Sequence, residues 1–386
     1  MPLFRRSAAH LADVRDIKRR TRMAMDPFDF DRFSEPEMVH DLLRSIQAKL
    51  EEPLVFMEVC GTHTVAIFQS GLRSLFPEGL LHLSGPGCPV CVTHDRDIGA
   101  FLELAGKEEV IVATFGDMMR VPGPGGQTLK SAKAEGARVK VCYSPMDALT
   151  LAKDSPEATV VFLGVGFETT APTVAATVKQ AQLSGVENFC VYSCHKLIPP
   201  ALKQLVASAD CRVQSFLLPG HVSTVIGTQP YGFLARDFGL PAVVTGFEPL
   251  DILQALNIVL DQRGSGRAEV VNQYSRGVDP KGNPRALALL DEVFDVQDAD
   301  WRGLGRIPGS GLGMAPEFAR FDARIRFDLR PVEVSEPPGC RCGEVLQGLI
   351  LPNECPLFGT RCTPARPVGP CMVSTEGSCA AFFKYQ

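Results

Sequence analysis

Short β-branched runs interleaved with helix-period segments predict an α/β protein built on mainly parallel sheets. Eight candidate strands carry the prediction: Leu54–Val59, Leu80–Ser84, Val110–Thr114, Val139–Tyr143, Thr159–Val165, Phe189–Ser193, Val213–Leu218 and Ala242–Thr245. Segments with apolar residues at helical spacing lie between several of them: Val65–Leu75, Pro172–Leu183, Pro200–Ala209 and Leu250–Leu260. Parallel neighbours need such crossovers, because the chain must return to the starting edge of the sheet. A weak internal echo adds two similar halves. Val165-Gly166-Phe167-Glu168 and Thr245-Gly246-Phe247-Glu248 each end a strand before a Pro-bearing helix start, with Ala113-Thr114-Phe115-Gly116-Asp117 a looser third copy. Gly-x-acid is also a common strand-to-helix turn, so the echo alone decides little.

The elements follow in order. Seven Lys or Arg fall within the first 25 residues, yet no apolar run follows them, so no secretory signal is expected and a solvated basic helix or frayed terminus is the plain reading. Ser34-Glu35-Pro36-Glu37 has the order of a capping box, and Met38, Leu42, Leu43, Ile46 and Leu50 then recur at helical spacing. The polar, Pro-bearing stretch Lys153–Ala158 is the expected boundary between the two halves. After Gln262 the alternation fades. Arg263–Arg267 reads as a linker, Arg285–Val293 as a helix, and Trp301–Met314 as a Gly-rich piece before a cysteine-rich tail. The resulting division is 1–50, an N-terminal helical segment packing on the third domain; 51–155 and 156–262, two α/β domains; and 263–386, an irregular C-terminal domain.

At 386 residues the chain exceeds one ordinary core. Its formal charge of −5 gives no footing to a nucleic-acid binder, which carries a basic excess. No uncharged apolar run reaches the roughly 18 residues that cross a bilayer, so no membrane span is expected. Seven of the 13 cysteines precede residue 340, and the other six crowd the tail. Without a secretory signal the expected setting is the reducing cytoplasm, where thiols act as ligands or redox centres rather than staples.

In open parallel sheets, ligands bind beyond the carboxyl ends of the strands. The unusual residues fall there. Cys60-Gly61-Thr62-His63-Thr64 follows the first strand and opens a helix, whose positive end is expected to lower the Cys60 pKa toward thiolate. His63 lies three residues on, on the same helical face, as a second ligand, a proton donor or a cap. Cys88-Pro89-Val90-Cys91 is a C-x-x-C pair after the second strand, suited to thiol–disulfide redox or to half a zinc site. Redox use is favoured, with Cys60 the natural exchange partner if the two loops meet. Cys194-His195 and Gly220-His221 follow later strands, and His195 and His221 read equally as structural hydrogen-bonders. Glu168 and Glu248 sit where a carboxylate can act or merely cap the next helix.

The tail is the strongest local signal. Cys340, Cys355, Cys362 and Cys379 are separated by 14, 6 and 16 residues, in Pro- and Gly-rich loops without a nearby histidine. That pattern fits four-thiolate ligation of an iron–sulfur cluster. Tetrathiolate zinc is the alternative, lacking its usual paired C-x-x-C knuckles. Cys342 and Cys371 are extra.

Taken together these segments bring a resemblance. Phe56-Met57-Glu58-Val59-Cys60-Gly61-Thr62-His63-Thr64, Ser84-Gly85-Pro86-Gly87-Cys88-Pro89-Val90-Cys91-Val92, Gly166-Phe167-Glu168-Thr169-Thr170-Ala171-Pro172, Pro219-Gly220-His221-Val222-Ser223, Cys340-Arg341-Cys342-Gly343-Glu344 and Pro370-Cys371-Met372-Val373-Ser374-Thr375-Glu376-Gly377-Ser378-Cys379 resemble the HypD family of [NiFe]-hydrogenase maturation. The resemblance implies two similar α/β domains plus a third built from both termini and carrying a [4Fe–4S] cluster. It implies a complex with a small chaperone, HypC, on which iron acquires two cyanides and one carbon monoxide. Cyanide comes from a HypE/HypF pair, and the Fe(CN)2CO unit passes to the hydrogenase large subunit.

Carried over residue by residue, Cys60 resembles the iron-coordinating thiolate and Cys88 and Cys91 the redox dithiol. Cys340, Cys355, Cys362 and Cys379 resemble the cluster ligands, leaving Cys342 and Cys371 as second choices. His63, Glu168 and His221 are candidate supporting residues. An electron route from cluster to dithiol to iron is the expectation. Val65 stands where some members have a second histidine, so no iron ligand is expected there. The competing readings are an iron–sulfur thiol–disulfide oxidoreductase acting on a protein disulfide, and a zinc-stabilised interaction protein.

Overall fold

Residues 36–329 and 337–385 are described by a computed structural model. In chain order the strands are β1 (Leu54–Glu58), β2 (Leu80–Ser84), β3 (Val110–Thr114), β4 (Val139–Val141), β5 (Thr159–Gly166), β6 (Phe189–His195), β7 (Ser215–Pro219), β8 (Ala242–Thr245), β9 (Val270–Asn272), β10 (Phe294–Trp301) and β11 (Gly305–Met314). They form two all-parallel sheets, ordered β2-β1-β7-β8-β9 and β4-β3-β5-β6, and one antiparallel pair, β10-β11. All eight strands expected from periodicity are present, and the α/β class with parallel sheets stands.

Their grouping differs from the expectation in one respect. The chain lays down β1 and β2, builds the whole second sheet, then returns to the first with β7 to β9. The boundary expected at 155/156 therefore falls inside one sheet, because β3 and β5 pair from Val110↔Thr159 to Ala113↔Phe162. Lys153–Ala158 is only the turn from the helix Pro145–Asp154 into β5. Asn188 pins it from the next strand's approach, its side-chain amide donating to the carbonyls of Ala152, Ser155 and Ala158 at 2.8, 3.0 and 2.8 Å. A polar, Pro-bearing turn inside a sheet carries the same composition as a linker. Arg263–Arg267 likewise begins as the last turn of a helix that ends at Gly264.

The helices that matter to the site are α1 (Pro36–Lys49), α2 (Gly61–Gln69), α3 (Pro89–Val92), α4 (Ile198–Val206), α5 (Gly220–Ile226), α6 (Pro249–Gly264), α7 (Cys342–Leu346) and α8 (Ser378–Tyr385). The basic terminus and Ser34-Glu35 of the expected capping box lie outside the described residues. Within them, α1 does not dock on the cysteine-bearing region as expected. It packs on α6 and the first sheet: Ile46 is fully buried with Leu54, Phe56, Leu217 and Leu253, the Ser45 hydroxyl donates to Asn257 Oδ1 at 2.6 Å, and Lys49 pairs with Asp261 at 2.9 Å. An apolar helix stripe takes the apolar surface that α6 offers, whatever the termini suggest. The tail docks instead on α2, where Phe382 of α8 meets Phe68 edge-on at 5.5 Å and Arg73 lies 4.2 Å from the Phe382 ring centre.

The Gly-rich piece after residue 300 proves to be the second strand of the β10–β11 hairpin, with a register shift between Gln297 and Ala299. Its strands are polar and largely exposed at the distal end, so they lack the apolar alternation that marks a strand in sequence. The hairpin turn is wedged between two other loops. Arg302 is buried; its backbone N–H donates to the Val92 carbonyl at 3.0 Å, its Nε to the Thr93 carbonyl at 3.2 Å, and its guanidinium pairs with buried Asp95. Gly303, at φ 76, lies so close to Gly343 in α7 that a Cβ would overlap its Cα. The loop after the C-x-x-C pair and the cysteine tail are thus held against one turn.

Removing one member of a buried ion pair strands the other charge. Arg302→Met should therefore lower stability by about 3 kcal/mol in urea denaturation, with Arg302→Met/Asp95→Leu recovering part of that loss. A loss below about 1 kcal/mol in the single variant would show that the pair is not holding the turn.

Candidate functional site

β1 delivers Cys60 to the N-cap of α2 with extended dihedrals, φ −148 and ψ 122, and its thiol caps nothing. Glu58, fully buried, braces the turn: one oxygen accepts the Cys60 N–H at 3.0 Å and the other the Thr64 hydroxyl at 2.6 Å. The turn after β2 then closes on the same place. Gly85 N–H donates to the Glu58 carbonyl at 2.8 Å, and Gly61 N–H donates to the Gly87 carbonyl at 3.0 Å. A Cβ on Gly87 would overlap the Cys60 backbone nitrogen, so only glycine permits this approach. The Cys60 and C-x-x-C loops do meet.

Cys88 caps the short helix α3 through its sulfur, which accepts the Cys91 N–H at 3.2 Å. The two cysteines form a disulfide. Cys91 Sγ also lies 4.0 Å from the Pro370 carbonyl, at the start of a strap from the tail. That strap, residues 370–376, touches every part of the site. The Arg120 guanidinium donates to the Val373 carbonyl at 2.9 Å, the Ser374 hydroxyl to Asp117 at 2.8 Å, and the Thr62 hydroxyl to Glu376 at 3.3 Å.

The expected low-pKa thiolate at Cys60 is not what the environment produces. Burial pushes the thiol up to about 12, and the carboxylates of Glu376 and Glu58 push the same way. The N–H groups of His63 and Thr62 pull it down, but they offset only part of that desolvation. The residue as a whole is 9% exposed, and its thiol is buried.

His63 is fully buried, its Nε2–H donating to the Gly246 carbonyl at 2.8 Å, which leaves Nδ1 as a lone pair without a partner. Burial lowers its pKa. Phe247, from the second Gly-Phe-Glu turn, lies between His63 at 4.7 Å and the exposed His221, at the start of α5, at 3.9 Å. The structure thus brings His63 and His221 together against Phe247. Glu248 is an exposed helix cap, matching its structural reading.

Glu168 belongs to the second sheet. One oxygen accepts the Ile198 N–H at the start of α4 at 2.9 Å, and the other is buried without a partner. Burial raises its pKa to about 7. Sequence reasoning missed three neighbours: Glu58, Glu376 and Tyr231. The Tyr231 hydroxyl is buried without a hydrogen bond, and burial first, then Glu168 and also Cys60, raise its pKa, so it stands within electrostatic reach of both. An aromatic residue in a Pro/Gly-rich segment carries no sequence signal for such a position.

In the tail, Cys342 and Cys371 form a disulfide. The four remaining thiols, Cys340, Cys355, Cys362 and Cys379, line one apolar pocket with Val345, Leu357, Phe358 and Met372. They sense one another: burial and then the charges of Cys355 and Cys362 raise Cys340 to about 11, and Cys379 is raised by burial and by the other three. Among the described residues, no three His, Cys, Asp or Glu side chains close tightly enough to hold a single metal ion. No helix is long and apolar enough to cross a membrane.

The family model described as "HypD: Hydrogenase formation hypA family" matches residues 37–386. The chain belongs to the HypD family. It is 47% identical over 364 residues to the hydrogenase maturation factor HypD of Escherichia coli, covering 92% of this chain and 97% of that one. It is 44% identical to HypD2 of Bradyrhizobium diazoefficiens and 44% identical to HypD of Cupriavidus necator, each over 92% of this chain and 96% of the relative. Membership in the HypD family agrees with the expectation from the motifs.

Between its ordinary value of 4.5 and about 7, folded Glu168 keeps a proton that the unfolded chain has released. Stability should therefore fall as pH rises through that window and level off above it. Glu168→Gln removes the titration, so the variant should gain on the parent between about pH 4.5 and 7 in paired urea denaturations. A stability difference that stays flat with pH would contradict the buried-carboxyl assignment.

Proposed function

We propose that this chain is a hydrogenase maturation factor acting in the cytoplasm. With a HypC-type chaperone it serves as the scaffold on which an iron ion receives two cyanides and one carbon monoxide. The iron is cargo, held at Cys60 and delivered through the chaperone to the hydrogenase large subunit, with cyanide arriving from a HypE-type donor. The observation that carries this reading is the convergence of the Cys60 turn, the C-x-x-C loop and the 370–376 strap on one spot. A soft thiolate suits low-spin iron with cyanide and carbon monoxide. The neutral, buried resting thiol releases its proton when a cation arrives to replace the missing solvation.

Cys340, Cys355, Cys362 and Cys379 fit a [4Fe–4S] cluster. Four free thiols ring an apolar pocket instead of converging on a point, and Cys342 and Cys371 withdraw from the donor set by pairing. A bound cluster of this kind exchanges single electrons. Beside it the chain's own residues hold the Cys88–Cys91 disulfide next to Cys60, so reduction of that disulfide yields thiols at the cargo site. On this reading two similar parallel-sheet domains carry the cargo site, and the region after residue 263 carries the cluster. The disulfide also favours a second reading, an iron–sulfur thiol–disulfide oxidoreductase acting on a protein disulfide.

Anaerobic co-production with the chaperone separates the two. Parent protein should bind about four irons and four sulfides beyond the cargo iron, and show infrared bands of bound cyanide and carbon monoxide. Cys60→Ala should lose the bands while keeping the sulfide. If it keeps them, the iron assignment fails. Cys340→Ser should lose the cluster's visible absorption with the far-ultraviolet dichroism of the parallel sheets retained. Disulfide reductase activity without any infrared bands in the parent would favour the second reading.

A further inference from the structure

A surface loop near the end of the chain carries two arginines without acidic partners among the described residues. Cys362 N–H donates to the Leu357 carbonyl at 2.8 Å and Gly359 N–H to the Cys362 carbonyl at 3.0 Å, which folds 357–362 into a tight turn. Thr363 and Arg366 close a second turn by exchanging backbone hydrogen bonds at 3.2 and 2.9 Å, and Val368 N–H donates to Cys362 Sγ at 3.3 Å. Arg361 and Arg366 stand exposed on these turns. The acids of the same region are engaged elsewhere: Glu344 pairs with Arg341, and Glu354 accepts the Leu351 N–H at 2.6 Å. The formal charge of the whole chain is −5, so this basic spot is local.

An aromatic ring sits beside the loop. Phe383, on α8, is 41% exposed and packs edge-on against Phe358 at 5.9 Å. A Cβ added to Gly359 would lie 3.9 Å from the Phe383 ring, so that ring borders the first turn. Exposed Lys384 follows it. Phe358 and Leu357 in turn line the pocket of the four free thiols, of which Cys340 and Cys355 are only half-buried. A single exposed phenylalanine is ordinary on a protein surface. One set beside unpaired arginines has the make-up of an interface, where aromatic residues and Arg are enriched.

We propose that the 357–366 loop and Phe383 form the docking surface for a small acidic protein that carries single electrons. Charge selects an acidic partner, because Arg361 and Arg366 attract carboxylates and repel a basic surface. Position selects an electron carrier, since a partner seated here lies against the wall that Phe358 and Leu357 give the four-thiol pocket. Weak redox encounters bury little surface, and one loop with one ring suits that size. The class of the partner rests on the [4Fe–4S] reading above; its charge rests on the loop alone.

The test is a calorimetric titration of the anaerobically produced full chain. The probes are a plant-type [2Fe–2S] ferredoxin and a flavodoxin, two acidic one-electron carriers, and cytochrome c, a basic one. At least one acidic carrier should bind, and cytochrome c should not. Binding should weaken as salt rises from about 0.01 to about 0.15 M, where the Debye length shortens from about 30 to about 8 Å. Arg361→Glu/Arg366→Glu should weaken it about tenfold or more, and Phe383→Ser should weaken it at every salt concentration. These positions are exposed, so the far-ultraviolet dichroism and iron content of both variants should match the parent. Iron and sulfide measured on the same samples decide the cluster separately. A chain lacking them that still binds an acidic carrier through these residues keeps the docking surface, and a loaded chain that binds neither acidic carrier refutes it. Equal binding of cytochrome c, undiminished binding by the charge-reversed variant, or binding of phosphatidylglycerol vesicles in place of the acidic carriers also overturns the proposal.

Discussion

One backbone contact, Gly61 N–H to the Gly87 carbonyl, holds two strand-end turns edge to edge, and the arrangement of the site depends on it. It is possible only because β1 and β2 pair in parallel with Glu58 opposite Ser84, so that both turns emerge at the same edge. Parallel pairing gathers the carboxyl ends of strands distant in sequence, and here it gathers sulfur. The strap at 370–376 closes the arrangement by bonding to the Cys60 turn on the first sheet and to Asp117 and Arg120 beyond β3 on the second.

Burial decides the electrostatics of this centre. A thiol at a helix N-terminus is ordinarily acidified. At Cys60, loss of solvent and two nearby carboxylates outweigh the helix, and the proton stays on sulfur. The same desolvation keeps His63 neutral and Glu168 protonated well into the neutral range. A neutral thiol beside two carboxylates takes up a cation by giving up its proton.

The β10–β11 hairpin links this centre to the cysteine tail. Its turn, through Arg302 and Gly303, holds the C-x-x-C loop and the tail in register. A segment with weak strand character in sequence therefore sets the spacing between both disulfides and the four free thiols.

Local chemistry was legible in the residues alone. β-branched runs located eight of the nine strands in the two parallel sheets, missing only the three-residue β9, because side-chain shape and periodicity act within a few residues. Cysteine density marked the tail, while the choice of Cys340, Cys355, Cys362 and Cys379 over Cys342 and Cys371 came from the resemblance to the family's motif. What required tertiary structure was everything set by long-range packing. The return of the chain to its first sheet, the docking of α1 on α6, and the placement of Glu376 and Tyr231 around Cys60 all join residues tens to hundreds of positions apart. Even the protonation of Cys60 belongs here, since the helix that acidifies a thiol is local while the burial that overrides it comes from the whole fold.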